Sequence, residues 1–369
     1  MNNDMPDQAA NAPEAHWRGR AGPVFAGNLA FEDVSFSARG KQIISGISFS
    51  LEAGRIACLL GPSGCGKSTL LKLAAGVLRP RQGRVLLDGQ EVAGPKHFVP
   101  PEKRSVGLMF QDFALFPHMT ALENVAFGLT ALDRSEARRV ATLALERVGL
   151  LPLRDSYPVM LSGGEQQRVA LARTIVPRPQ VILMDEPFSS LDQRLREVIR
   201  NDTLSILKET RATALLVTHD PQEAIEFADW IYLMRRGAIV QGGTPEDVQR
   251  HPVDADAARF FRSYNEFSGS VSKGKVNTPA GPVGAPKLPE GTRALVMVPP
   301  EDIKLVVADG EAHAQVIESR FVGPNTHLKL QLADSDEAVA VTIQAESAPG
   351  PGQFCNLAVD ARNTHIFTL

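Results

Sequence analysis

From Leu29 onward the chain alternates apolar and polar residues. Leu29, Phe31, Val34 and Phe36 lead into Ile43, Ile44, Ile47 and Phe49, with Gly40, Gly46 and Gly54 as breaks. Alternation with a period of about two predicts strands that bury one face. Residues 56–60 (Ile-Ala-Cys-Leu-Leu), 181–184 (Val-Ile-Leu-Met) and 214–217 (Ala-Leu-Leu-Val) are apolar throughout. Such short runs predict strands covered on both faces, as in a parallel sheet. Helical spacing follows at Thr69 to Val77, at 119–150 and at 162–176. Strands alternating with helices predict an α/β domain.

Beyond residue 268 the texture changes. Pro and Gly are dense between 279 and 291. Short alternating stretches then run Ala294 to Val298, Lys304 to Val307, Ala314 to Ile317, His327 to Leu332, Val339 to Ile343 and Asn356 to Val359. They predict a small all-β domain of the oligonucleotide/oligosaccharide-binding (OB) type. Residues 1–28 are rich in Asn, Asp, Ala, Pro and Gly and predict a disordered tail. The expected domains are therefore 29–267 and 268–369.

Composition narrows the function classes. The 369 residues are 43% hydrophobic and 22% charged, with net charge −3, so no global charge draws the chain to nucleic acid. No apolar run approaches the roughly 18 residues that span a bilayer. The N-terminus has neither a basic start nor an apolar core, unlike a secretory signal. Three scattered cysteines, Cys58, Cys65 and Cys355, fit no disulfide or zinc framework. A reduced, cytoplasmic protein is expected.

Residues 61–69 read Gly61, Pro62, Ser63, Gly64, Cys65, Gly66, Lys67, Ser68, Thr69. This is a phosphate-binding loop between a strand and a helix: glycines turn backbone N–H groups inward and the helix start adds positive potential. Lys67 would reach the β- and γ-phosphates and Ser68 would ligate Mg²⁺. Asp185 and Glu186 end the apolar run 181–184. Asp185 would help hold Mg²⁺, and Glu186 would act as general base for the attacking water. Gln111, after Val106 to Phe110, would sense Mg²⁺ and water, and His219 ends another strand beside the phosphates. Leu161-Ser162-Gly163-Gly164-Glu165 opens a helix, with donors suited to a γ-phosphate. Lys67 and a helix start beside Cys65 favour its thiolate, which predicts a reactive thiol.

The ordered set of Gly61–Thr69, Gln111, Leu161–Glu165, Asp185-Glu186, Ser189-Ser190-Leu191-Asp192 and His219 resembles the nucleotide-binding subunit of ABC transporters over residues 29–250. The resemblance implies a P-loop NTPase fold with a helical subdomain at about 112–176 and a TOBE-type β domain behind it. It implies ATP and Mg²⁺ as cofactors and a head-to-tail dimer of two copies. One copy's phosphate loop would face Ser162, Gly163 and Gly164 of the other, with Asp192 connecting the two sites. Family members usually stack an aromatic ring on adenine near the first turn; here Ala38 stands there and Phe36 is the nearest ring.

Residues 111–128 resemble importers for iron, polyamines, sugars and small anions. Phe113, Leu115, Phe116 and Met119 would line a groove for a helix of an integral membrane permease. The Val99-Pro-Pro-Glu-Lys-Arg104 and Leu115-Phe-Pro-His segments are most similar to ferric-iron importers, which implies indirect work with a substrate-binding protein. The chain would then sit peripherally on the cytoplasmic face of the inner membrane, with no nucleic-acid partner. A soluble ABC ATPase is the alternative of another class. A DNA-repair type would carry a long coiled-coil insertion before Ser162, and the interval shows no sustained heptads.

Overall fold

Arg39 and Gly40 both take positive φ, 50° and 77°, and turn β1 (Leu29–Ala38) back on β2 (Lys41–Leu51). A two-residue turn of this kind matches the right-handed twist of paired strands. The computed structural model describes residues 26–189, 191, 193–306, 313–333 and 338–369, without the side chains of 193–195. The expected tail lies almost wholly outside these residues.

By contact the chain divides into two units: residues up to 57 with 66–217, and residues 58–65 with 218–369. The remaining elements in chain order are β3 (Ile56–Leu60), α1 (Lys67–Ala75), β4 (Gln82–Leu87), β5 (Gln90–Ala93), β6 (Val106–Met109), α2 (Ala121–Ala126), α3 (Arg134–Arg147), α4 (Gly163–Ile175), β7 (Val181–Asp185), α5 (Gln193–Thr210), β8 (Thr213–Thr218), α6 (Pro221–Phe227), β9 (Trp230–Arg235), β10 (Ala238–Gly243), α7 (Pro245–Arg250) and α8 (Ala255–Phe261).

In the first unit an antiparallel sheet runs β2-β1-β4-β5. Phe31 and Phe49 stack across it with centroids 4.8 Å apart. β6, β7 and β8 lie parallel, with Met109 beside Met184 and Asp185 beside Val217. The runs read as doubly covered strands are buried end to end in β3, β7 and β8. The helical stretch 119–150 is in fact two helices, α2 and α3. Thr120 caps α2 in a reciprocal box with Glu123, and Asp133 caps α3 through the N–H groups of Ser135 and Glu136. Their inner faces share a core with α4 built on Leu122, Val125, Leu145 and Val169. Fully buried Asn124 accepts from Phe116 N–H at 2.9 Å. It donates to the carbonyls of Phe116, Met119 and Thr120, each at 3.1 Å, and so fixes the loop ahead of α2.

In the second unit the order is β10-β9-β3, and Arg235 is paired with Asp254 at 2.6 Å. Ten further strands follow: β11 (Asn265–Ser272), β12 (Lys275–Thr278), β13 (Gly281–Gly284), β14 (Arg293–Val298), β15 (Ile303–Val306), β16 (Ala314–Val322), β17 (Asn325–Leu332), β18 (Ala338–Gln344), β19 (Phe354–Val359) and β20 (His365–Thr368). The six predicted stretches correspond to β14–β19. Two five-stranded sheets, β13-β12-β11-β14-β20 and β15-β19-β16-β17-β18, enclose one apolar core that includes Phe267, Val276, Val296, Leu328, Leu330 and Val341. Buried Asn265 joins the sheets, donating to the Ala340 carbonyl and accepting from its N–H, both at 2.8 Å. The expected boundary between 267 and 268 falls inside β11.

Candidate nucleotide site

The phosphate loop runs from the end of β3 into α1. A Cβ at Gly61 would lie 2.1 Å from the carbonyl oxygen of Met234 and 3.1 Å from Cys65 Sγ, so only glycine fits there. Gly66 caps α1 at φ 111°, a conformation L side chains avoid. Within the loop Cys65 N–H donates to the Pro62 carbonyl at 3.3 Å, and the Cys65 carbonyl accepts from Gly237 N–H at 3.0 Å. Ser63 and Gly64 are exposed, while Lys67 and Cys65 are buried. The expected reactivity of Cys65 is therefore corrected: only 6% of the residue is exposed, and a reagent must reach the sulfur before its ionisation matters.

Ser68, at the second position of α1, donates its hydroxyl to Asp185 Oδ1 at 2.8 Å. Asp185 is buried at the carboxyl end of β7. Burial raises its pKa above the usual carboxylate range, and Glu186 adds to this. The Ser68 hydroxyl, Lys72 and Lys67 act the other way. Lys72 is a participant the sequence reading missed; its spacing of one helical turn after Ser68 was the available signal. Ser68 and Asp185 offer the hard oxygens that Mg²⁺ prefers. Among the described residues no group of three or more His, Cys, Asp or Glu could hold a metal unaided.

Glu186 takes a left-handed backbone at φ 45°. A non-glycine residue pays about 1 kcal/mol or more for this. Three hydrogen bonds hold it: its N–H donates to the Val217 carbonyl at 3.0 Å, and its carbonyl accepts from Ser189 N–H at 3.3 Å and Oγ at 3.0 Å. The strained turn sends the residue off the strand line immediately after Asp185.

Gln111 is not at the strand end itself. β6 stops at Met109, and Gln111 is exposed in the turn that follows. Next to it Phe113 turns inward at φ 61° and is buried, so its expected place on the groove is corrected: it is core. Phe116 remains half-buried, 4.4 Å from Phe127 between ring centroids, with the Arg173 guanidinium 5.4 Å over its ring. Phe116 and Phe127 edge a cleft of about 580 Å³, and Met119 and Phe127 one of about 460 Å³.

His219 follows β8 and is exposed. Beneath it Thr218 donates to the buried carboxylate of Glu223 at 2.5 Å and accepts from Asp220 N–H at 3.0 Å. This pair fixes the turn that carries His219 and was not foreseen from the sequence. Ser162 caps α4 in a reciprocal box: its N–H and hydroxyl donate to Glu165 Oε2 at 2.7 and 2.8 Å, and its oxygen accepts from Glu165 N–H at 3.4 Å. These contacts hold the Glu165 carboxyl below its usual range. A Cβ at Gly163 would meet nothing within 4 Å, so the start of α4 faces open space. Ser190 and Asp192 lie outside the described residues.

Comparison with known proteins decides what this assembly is. A family model described as ABC transporter matches residues 44–189, and one described as TOBE domain matches 296–367. The Fe(3+) ions import ATP-binding protein FbpC of Streptomyces coelicolor is 40% identical over 332 residues, 89% of this chain and 90% of that protein. This chain belongs to the ABC transporter ATP-binding family. FbpC 1 of Rhodococcus jostii is 40% identical over 84% of this chain and 89% of its own length. Among solved structures, cbiO1 from Clostridium perfringens, part of the ABC transporter complex cbiONQ, superposes with TM-score 0.54 at 30% identity. That match covers 60% of this chain and 89% of cbiO1. The ATP-binding cassette MJ0796, a dimer in a post-hydrolysis state with ADP and Pi, superposes at 0.52 and 27% identity, over 59% of this chain and 98% of its own. As a family member the chain binds ATP and is an ATPase with a C-terminal TOBE domain. Among the described residues no helix is long and apolar enough to cross a membrane.

Proposed function

We propose that this ATPase powers ferric-iron import through an ABC transporter. The observation that carries the reading is the likeness to FbpC along 89% of the chain, through both the ATPase and the TOBE parts. In this reading Gly61–Thr69 bind the phosphates of ATP, and Lys67 answers the charge of the β- and γ-phosphates. Ser68, Asp185 and Gln111 would hold Mg²⁺, which would neutralise charge on the phosphates. Glu186 takes the proton of the attacking water, and His219 steadies the γ-phosphate. Ser162, Gly163, Gly164, Glu165 and Asp192 serve the nucleotide of a second, head-to-tail copy. The open face at Gly163 supports that last point, because it leaves the start of α4 accessible to a ligand held by another copy.

The remaining assignments follow the same logic. The ATPase domain ends ahead of β11 (Asn265–Ser272), and the regulatory domain runs from β11 to 369. The clefts at Phe116, Met119 and Phe127 receive a permease helix, which seats the chain peripherally at the inner face of the membrane. A substrate-binding protein acts on the far side.

The test is radioactive ferric-iron uptake in cells that lack this chain and carry its neighbouring permease. The parent chain is expected to restore uptake. Glu186→Gln is expected to restore none while the purified variant still binds ATP and forms an ATP-dependent dimer on size exclusion. Restored uptake of a polyamine or sugar in place of iron would overturn the substrate. ATP turnover near the parent rate in Glu186→Gln would overturn the assigned base.

A further inference from the structure

The second unit holds another concavity, of about 840 Å³. That exceeds what inorganic phosphate fills and lies within the range of small-molecule sites. Six basic side chains line it: Arg250, His251, Arg262, Lys287, Arg362 and His365. They come from the end of α7, the segment after α8, the turn after β13 and the start of β20. No Asp or Glu is among the lining residues.

Three of the cations reach carboxylates outside the lining. Arg250 meets Glu246 at 2.8 Å, Arg262 meets Glu301 at 3.1 Å, and Arg362 meets Asp360 at 2.6 Å. The first two acids are more than half exposed, so solvent screens those pairs. Asp360 is better buried, but it also serves Lys304 at 3.1 Å. The cleft keeps an excess of positive charge. Burial first, then Arg262 and His251, hold the pKa of His365 below that of a free imidazole.

Two further features give the cleft a binding character. Thr364 Oγ1 is buried without a hydrogen-bond partner among the described residues, an unmet polar group of the kind that a ligand satisfies. Leu288 and Ile366 supply an apolar wall, backed by the β-domain core. Gathering like charges in a concave site costs stability through repulsion, and it concentrates counter-ions there. A ligand with anionic groups on a carbon frame uses both the charge and the wall.

We propose that this cleft binds a small organic polyanion, one that carries two or more carboxylate or phosphate groups on an apolar frame. The site stands on residues apart from the phosphate loop and does not depend on which solute the transporter moves.

Calorimetry on the full chain tests this, with saturating Mg-ADP present so that the phosphate loop is filled. The probes are citrate for the carboxylate form and fructose 1,6-bisphosphate for the phosphate form. At least one is expected to bind in the submillimolar range and to bind more weakly as salt rises. The double variant Arg250→Glu, Lys287→Glu changes two exposed residues and is expected to weaken that binding about tenfold or more, with Mg-ATP affinity unchanged. If the charge variant melts early, Thr364→Val replaces it and is expected to weaken the same probe severalfold. Absence of binding by both probes at millimolar concentration overturns the proposal. So does binding that the folded charge variant, or Thr364→Val in its place, leaves intact.

Discussion

At the scale of single residues, Asp185 faces opposed demands. Burial disfavours its charge in the metal-free protein, yet the charge is what a cation at this site requires. An acid whose pKa is raised by folding holds its proton more tightly in the folded chain than in the unfolded one. Its contribution to stability is then fully present below the ordinary Asp value and is lost as pH rises through the folded value. Asp185→Asn keeps an acceptor for Ser68 and removes the buried charge. Without Mg²⁺ it is expected to be at least as stable as the parent at neutral pH, with the gap closing in acid. Urea unfolding at the two pH values checks the sign, and loss of stability at neutral pH would refute it. The same variant is expected to bind Mg-ATP more weakly. Arg104 shows the opposite economy. It is buried and donates to the carbonyls of Val99, Leu73, Ala74 and Val92, and desolvation pulls its pKa down to about 10. Two of those carbonyls close the C-terminus of α1, so the guanidinium also answers the negative end of the helix dipole.

At the scale of elements, the starts of α1 and α4 are closed in different ways. α1 begins at Gly66 and has no side-chain cap. α4 begins at Ser162, whose hydroxyl is already engaged by Glu165. Cap and phosphate contact can therefore be separated. Ser162→Ala is expected to cost about 1 kcal/mol of stability and to depress ATP turnover. Ser162→Asn is expected to recover the stability, since Asn caps well, and not the turnover, since it brings no hydroxyl. Urea unfolding and phosphate release measure the two effects. If Asn recovered both, capping alone would account for Ser162.

At the scale of the whole chain, the C-terminal β domain is bound to the segment that precedes it. Ala258 of α8 shares a small apolar cluster with Leu295 and Met297 of β14, and Arg259 is paired with Glu266 of β11 at 2.6 Å. Ending the chain after Phe267 would cut β11 and strip that cluster. The truncated protein is expected to be poorly soluble or to melt well below the full chain, judged by soluble yield and thermal unfolding. A monodisperse 1–267 fragment with the parent ATPase rate would show that the first domain owns a complete core.

What the sequence by itself determined was local. The Gly61–Thr69 loop, the Ser162–Glu165 helix start and the all-apolar strands were legible because each depends on a few consecutive residues: φ-permissive glycines, a capping pair, a run covered on both sides. The alternating strands of the β domain were legible for the same reason. Tertiary structure alone decided which side chains lost water and which partners they gained. Phe113 reads as a groove residue until a left-handed turn folds it inward. Cys65 reads as reactive until the fold buries it, its carbonyl bonded to the distant Gly237 N–H. Among the described residues Arg104 has no carboxylate partner, and the carbonyls of Leu73, Ala74, Val92 and Val99 take that role. The six basic side chains around the 840 Å³ cleft, two of them histidines, come from four separate segments, so no window of sequence contains them. Burial and electrostatic environment are properties of neighbours in space, and the chain brings those neighbours together only when it folds.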